Sequence, residues 1–169
     1  MTIISQRLKI VPVRRLEHLT FNLCNFNFFK NSEGGKAILF FGNSGRLAVL
    51  IAVPYIIGCE LAFFREERYF VKLKKEIVGV FVLRGESDAL YVGSLGVAPE
   101  YREHGIATFI LGSCTQIAKR LGKKWLELTV LKTNIPARKL YDRFGFLNKE
   151  ERKWSLVMRK RIDGSNQPV

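Results

Sequence analysis

Two short stretches hold the residue types and spacings that could do chemistry. The first is LGVAPEYREHGIAT, residues 95–108. It reads as the end of a strand, a short turn, and a helix that starts at a glycine flanked by small residues. Such a junction aims free backbone N–H groups and the positive end of a helix dipole at one point, which is a site for an anion. Gly105 removes a Cβ where an anion must come close, and Ala107 keeps the next turn clear. The second stretch is NIPARKLYDRFGF, residues 134–146. Its Tyr141 carries a phenol whose ordinary pKa is about 10, so it stays protonated at neutral pH and can give a proton to an anion formed beside it. The plainer reading of Tyr141 is a helix aromatic packed at the edge of the core, and the plainer reading of Asn134 is a helix cap.

These residues need elements to hold them. Residues 89–97 form a β segment ending at Ala98-Pro99. A helix is expected from about His104 to Leu121, because Ile106, Ile110, Cys114, Ile117 and Leu121 step by four and three into one apolar stripe. Gly122 stops it in the usual C-terminal position. Residues 125–131 are a strand of bulky and β-branched types. Asn134 caps a second helix that tolerates Pro136 in its first turn and reaches Phe144, before Gly145. Residues 154–158 make a last strand. Upstream, residues 69–73 and 77–83 flank 74–76 as a hairpin. Residues 7–13 read as a strand, with a short helix marked by Leu16, Leu19 and Leu23. Residues 21–41 carry no assignment. Strands and helices mixed in this order predict an α/β or α+β sheet protein.

At 169 residues, 47% of them hydrophobic, the chain suits one folded domain. That domain is expected over residues 1–162, with 163–169 (DGSNQPV) as a disordered tail. The opening MTIISQRLKI has Gln6, Arg7 and Lys9 where a secretory signal needs an apolar core. Cys24, Cys59 and Cys114 stand far apart without a C-x-x-C, beside only two histidines, His18 and His104. That excludes a disulfide framework and a zinc site, so no metal is expected and the expected compartment is the cytoplasm. Residues 47–64 (LAVLIAVPYIIGCELAFF) are strongly apolar but are interrupted by Pro54, Gly58 and Glu60. A buried helix and turn suits them better than a transmembrane span, and a homodimer face or partial membrane contact stays open. The net charge of +13 draws polyanions in general. Nucleic acid is not the expected partner, because no basic strand face with interleaved aromatics and no nucleic-acid motif is visible.

Together the two stretches resemble the GNAT superfamily of acetyl-CoA-dependent N-acetyltransferases. Its pyrophosphate-binding signature, Arg/Gln-x-x-Gly-x-Gly/Ala, matches Arg102, Gly105 and Ala107 at the same strand-to-helix junction. Its later signature matches Asn134, Ala137, Leu140, Tyr141, Gly145 and Phe146. The resemblance covers residues 89–146 and extends to the 69–83 hairpin. It implies a mixed, mostly antiparallel, V-shaped β-sheet flanked by helices, opened between residues 89–97 and 125–131. It implies acetyl-CoA as co-substrate, its pantetheine arm on the backbone of Leu95, Gly96 and Val97. The pyrophosphate would lie on Arg102, Glu103, His104, Gly105, Ile106, Ala107 and Thr108. Asn134, Ala137, Tyr141 and Arg143 would complete the cofactor site, with Tyr141 as the general acid.

The resemblance also implies a glutamate base on one of two strands, but Tyr91 and Thr129 stand at the matching offsets. Glu127, two residues before Thr129, shares its strand face and is a candidate base. Glu60 and Glu66 could enter from the N-terminal half, and deprotonation through water is a further route. The expected function is transfer of acetyl to an amine on a protein N-terminus, a lysine or a small molecule. The alternative is a non-catalytic CoA-binding regulatory module.

Overall fold

The computed structural model describes residues 7–14, 17, 20, 21, 24 and 66–162. Leu16, Leu19, Leu23, Cys59, Glu60, the apolar 47–64 segment and the 163–169 tail lie outside the described residues. Seven strands form one sheet, in the order β1-β2-β3-β4-β5-β7-β6. They are β1 (Leu8–Pro12), β2 (Glu67–Leu73), β3 (Glu76–Gly85), β4 (Ala89–Val97), β5 (Trp125–Leu131), β6 (Leu147–Glu151) and β7 (Ser155–Arg161). Helix α1 (Ile106–Arg120) connects β4 to β5, and α2 (Ile135–Arg143) connects β5 to β6. Only β4 and β5 run parallel; the other pairs are antiparallel. The expected mixed sheet flanked by helices is therefore present.

The β4–β5 ladder is short. It runs from Ala89↔Trp125 to Val92↔Leu128 and then stops, although both strands continue. Beyond that point β4 stays with β3 and β5 stays with β7. A bulge explains the divergence: Val82 faces Gly93 and Val80 faces Gly96, so β4 carries one residue more than β3 there. Ser94 sits in this bulge at φ +47, a left-handed conformation that bends and twists the strand away from β5. The sheet is thus opened as a V between residues 93–97 and 129–131.

The apolar stripe of α1 holds over its first three turns and shifts at its C-terminal end, where Ile117 is only partly buried and Leu121, the C-cap and no longer part of the helix, is 57% exposed. Ile106, Ile110, Leu111, Cys114 and Ala118 are buried against one sheet face, where Val92, Leu128 and Met158 lie. The isoleucine and leucine side chains among them each contribute about 1.5–3 kcal/mol when removed from water. Gly79 of β3 leaves little room beneath the helix: a Cβ there would stand 3.2 Å from the Gly96 carbonyl oxygen and 3.4 Å from Ile110 Cδ1. The α2 residues Tyr141, Ala137 and Leu140 join the same core, as does Phe146. On the opposite face Phe21 covers Phe70, Val80 and Val82 of β2 and β3.

Several boundaries differ from the sequence reading. Helix α1 begins at Ile106 and not at His104, because Glu103 (φ +63) and Gly105 (φ +79) are both left-handed and cannot belong to a right-handed helix. The last strand runs over Ser155–Arg161, later than 154–158, and pairs with a strand not anticipated at all, β6. Every residue of β6 (LNKEE) is exposed, so it lacks the apolar alternation that marks a strand.

Candidate functional site

Because β4 and β5 run parallel, their C-terminal ends lie at the same end of the sheet, and each leads into a helix. At the end of β4 the chain makes a turn of 3₁₀ helix (Pro99–Tyr101) and then the 102–105 loop. The loop is tied down from below: the Ala98 N–H donates to the Val78 carbonyl at 3.0 Å, and the Tyr101 hydroxyl donates to the Glu76 carboxylate. The Arg102 Nε donates to the Val97 carbonyl at 3.2 Å. His104 folds onto the same loop, its Nδ1 lying 2.6 Å from the Arg102 carbonyl, so that nitrogen carries the proton.

Helix α1 then starts without a cap. Gly105 at its N-cap makes no side-chain hydrogen bond, and its first turn holds no acidic residue. The N–H groups of the first turn are the ones that helix geometry leaves unsatisfied, and they meet the positive end of the dipole of a fifteen-residue helix. A Cβ on Gly105 would meet nothing within 4 Å, so the space above the loop is open. These features suit a diphosphate, and the parted strands suit an extended polar arm lying along β4, whose gap-facing backbone groups have no partner on β5. Leu95, Gly96, Val97 and residues 102–108 are thus gathered at one place. Arg143 is not: its Nε turns back to the Lys139 carbonyl at 3.2 Å on the exposed side of α2.

At the end of β5, Asn134 caps α2 by accepting from the Ala137 N–H at 3.3 Å. Tyr141 follows about two turns later. It is buried, its ring lies 5.8 Å from that of Phe146, and among the described residues its hydroxyl has no hydrogen-bond partner. Burial pushes the phenol up to about 12, with Tyr91 adding a smaller push in the same direction. Tyr141 therefore holds its proton throughout the neutral range.

Glu127 occupies the face away from α1. It is buried, and both its oxygens are engaged by Lys149 Nζ, at 2.8 and 3.0 Å. Its register partner on β4 is Tyr91, whose ring lies 4.6 Å below the Arg84 guanidinium. Glu66 lies against Arg84 at 3.4 Å; burial raises its pKa, and Arg84 and then Arg68 lower it. Thr129 is exposed. Glu67 accepts a hydrogen bond from the Tyr69 hydroxyl at 2.5 Å.

One feature of this face was not legible beforehand. Trp125 of β5 carries the Arg159 guanidinium at 4.1 Å and that of Arg161 at 5.7 Å. Two arginines and a tryptophan thus cluster on one face of the sheet. No single strand shows it, because the arginines and the tryptophan come from β7 and β5.

Residues 51–146 match the acetyltransferase (GNAT) family. An uncharacterized N-acetyltransferase of Methanocaldococcus jannaschii is 39% identical over 66 residues, a stretch spanning 39% of this chain and 29% of that relative. Among solved structures, the PaiA N-acetyltransferase of Thermoplasma acidophilum in complex with coenzyme A superposes with a TM-score of 0.72 at 16% identity, covering 91% of this chain and 98% of that one. A GNAT acetyltransferase of Elizabethkingia anophelis with acetyl-CoA bound gives a TM-score of 0.64 at 15% identity, covering 92% and 98%. Among the described residues no helix is long and apolar enough to cross a membrane. With more than half of its length matched, and with the opened sheet and uncapped helix in place, this chain belongs to the GNAT acetyltransferase family.

Proposed function

We propose that this chain is an acetyl-CoA-dependent N-acetyltransferase. The observation that carries the reading is the parting of β4 from β5 after Val92 and Leu128, directly below the uncapped start of α1. The loop amides and first-turn N–H groups hold the pyrophosphate, and the backbone of residues 95–97 pairs with the pantetheine arm as an added strand would. Acetyl-CoA supplies a thioester, an acyl group already activated for attack by an amine. In the transfer a C–N bond forms, the C–S bond breaks, the nitrogen gives up a proton and the thiolate takes one. Tyr141 is the donor to the thiolate: its phenol is buried, protonated and without a described partner. Asn134 sets α2, and with it Tyr141, by capping the helix.

Glu127 is assigned a structural role. Both of its oxygens are occupied by Lys149, so the amine's proton is assigned to water. The test is release of CoA thiol from acetyl-CoA with a panel of amines: an apolar dipeptide with a free N-terminus, a lysine-containing peptide, spermidine and small mono-amines. Amine-dependent release, with mass-spectrometric detection of the N-acetyl product, supports the reading. Tight CoA binding with no release on any amine would establish a CoA-binding module in its place.

A further inference from the structure

We propose that the acceptor carries an anionic group as well as its amine, and that Arg159 receives that group on the sheet face opposite α1 and α2. This rests on the acetyl-transfer reading and names its substrate class.

The helices decide which face the acceptor uses. Helices α1 and α2 pack their core residues on one side of the parting strands. The co-substrate comes in from the strand ends, so an amine must reach the apex of the V from the other side. Just below the apex, four register neighbours cross that side: Arg84, Tyr91, Glu127 and Arg159, on β3, β4, β5 and β7.

Three of the four already have partners. Arg84 contacts Glu66 at 3.4 Å and Glu86 at 3.0 Å, and covers the Tyr91 ring. Glu127 has Lys149. Arg159 is the direct strand neighbour of Glu127, yet the carboxylate bonds to Lys149, and Arg159 lies over Trp125 at 4.1 Å. Among the described residues it has no ion pair and no hydrogen bond. A guanidinium stacked on an indole is held in one plane with its N–H donors at the rim, the arrangement that takes a carboxylate or phosphate in bidentate fashion. The Arg161 charge, 5.7 Å from the same ring, adds to the field. A half-buried cation beside a neutralised ion pair lacks only a counter-anion, and an acceptor can bring it.

Spacing sets the length of that acceptor. Strands lie about 4.8 Å apart and residues advance about 3.3 Å along a strand, so Arg159 stands roughly 6–8 Å from the apex along the sheet. The side chain leans toward Trp125 and lengthens this further. A short ω-amino acid or amino-alkyl phosphate spans such a gap; a simple alkylamine leaves Arg159 unanswered.

The experiment compares 6-aminohexanoate and 6-aminohexyl phosphate with hexylamine, which has the same chain and no anion. The expected result is a kcat/KM at least about tenfold higher for one of the anionic amines, the size of one charge-assisted bond; which one leads distinguishes carboxylate from phosphate. In Arg159→Gln the ratio collapses toward one. Calorimetry on the CoA-loaded protein, which needs no turnover, should show 6-aminohexanoate binding that weakens at least about tenfold in Arg159→Gln. Equal kcat/KM for all three amines, a ratio unchanged in Arg159→Gln, or preference for spermidine over 6-aminohexanoate would overturn the inference while leaving acetyl transfer standing. Binding of the acid without any thiol release would sink the transfer reading and keep the anion site.

Discussion

Lys149 reaches across an intervening strand to hold Glu127. The two belong to β6 and β5, with β7 between them, and Lys149 Nζ stands 2.8 and 3.0 Å from the two carboxylate oxygens. A bulge makes this reach available: Asn148 faces Met158 and Glu150 faces Val157, so Lys149 is the extra residue of β6, released from the ladder. The carboxylate side chain is 7% exposed and the lysine 40%, so the acid depends on the base more than the reverse.

Lys149→Met should therefore destabilise the fold by about 1–3 kcal/mol, since it strands a buried carboxylate. Adding Glu127→Gln to that variant should restore part of the loss. Urea denaturation of the two singles and the double checks this; additive losses would mean that the pair is uncoupled.

Gly105→Glu should abolish detectable CoA binding in a folded protein, by placing a negative charge where the pyrophosphate is proposed to sit. Gly105→Ala separates charge from backbone. Its Cβ would meet nothing within 4 Å, but the φ of +79 should cost about 1–2 kcal/mol of stability. Calorimetry with CoA beside thermal melts of both variants reads the two effects apart.

How legible each feature was depended on whether its cause was local. Gly105, Asn134 and Tyr141 were readable because a turn, a cap and a helix position are set by residues within a few places of one another. Strand β6 was not, because an exposed edge strand needs no apolar alternation. The left-handed Glu103 escaped notice since glutamate does not announce that conformation as glycine does. Neither the Lys149 clamp on Glu127 nor the Arg159 stack on Trp125 could be read: the first depends on strand order and on the β6 bulge, the second on the register of β5 with β7, and both emerge only when the sheet is assembled.

Tyr141→Phe should lower kcat by about 10²–10⁴-fold and leave acetyl-CoA affinity nearly intact, because the ring packing is kept and only the proton donor is lost. With the phenol pushed up to about 12, the native enzyme should show no loss of activity from Tyr141 between pH 6 and 10. A Phe variant turning over at the native rate on a good acceptor would reduce Tyr141 to a packing residue.

The same phenol affects stability in alkali. Below pH 10 it is protonated in both the folded and unfolded chain and adds no pH dependence. Between 10 and about 12 the unfolded chain loses its proton first, so stability falls as pH rises, by about 3 kcal/mol in all. Chemical denaturation from pH 9 to 12 should show a steeper decline for the native protein than for Tyr141→Phe; parallel declines would count against a buried phenol.

The short ladder between β4 and β5 gives the sheet an edge in its interior. At a true border, a bulged and charged strand such as β6 discourages further pairing, but the gap above Val92 and Leu128 has no such guard. The gap-facing amides of β4 there have no partner on β5, and in the ligand-free protein these should exchange their hydrogens sooner than those of the continuous ladders around them. Acetyl-CoA lying in the gap, as proposed above, would be a structural member as well as a reactant. At a hundred times its dissociation constant it would stabilise the fold by about 2.7 kcal/mol, so the amount of folded chain would follow the supply of the metabolite it consumes.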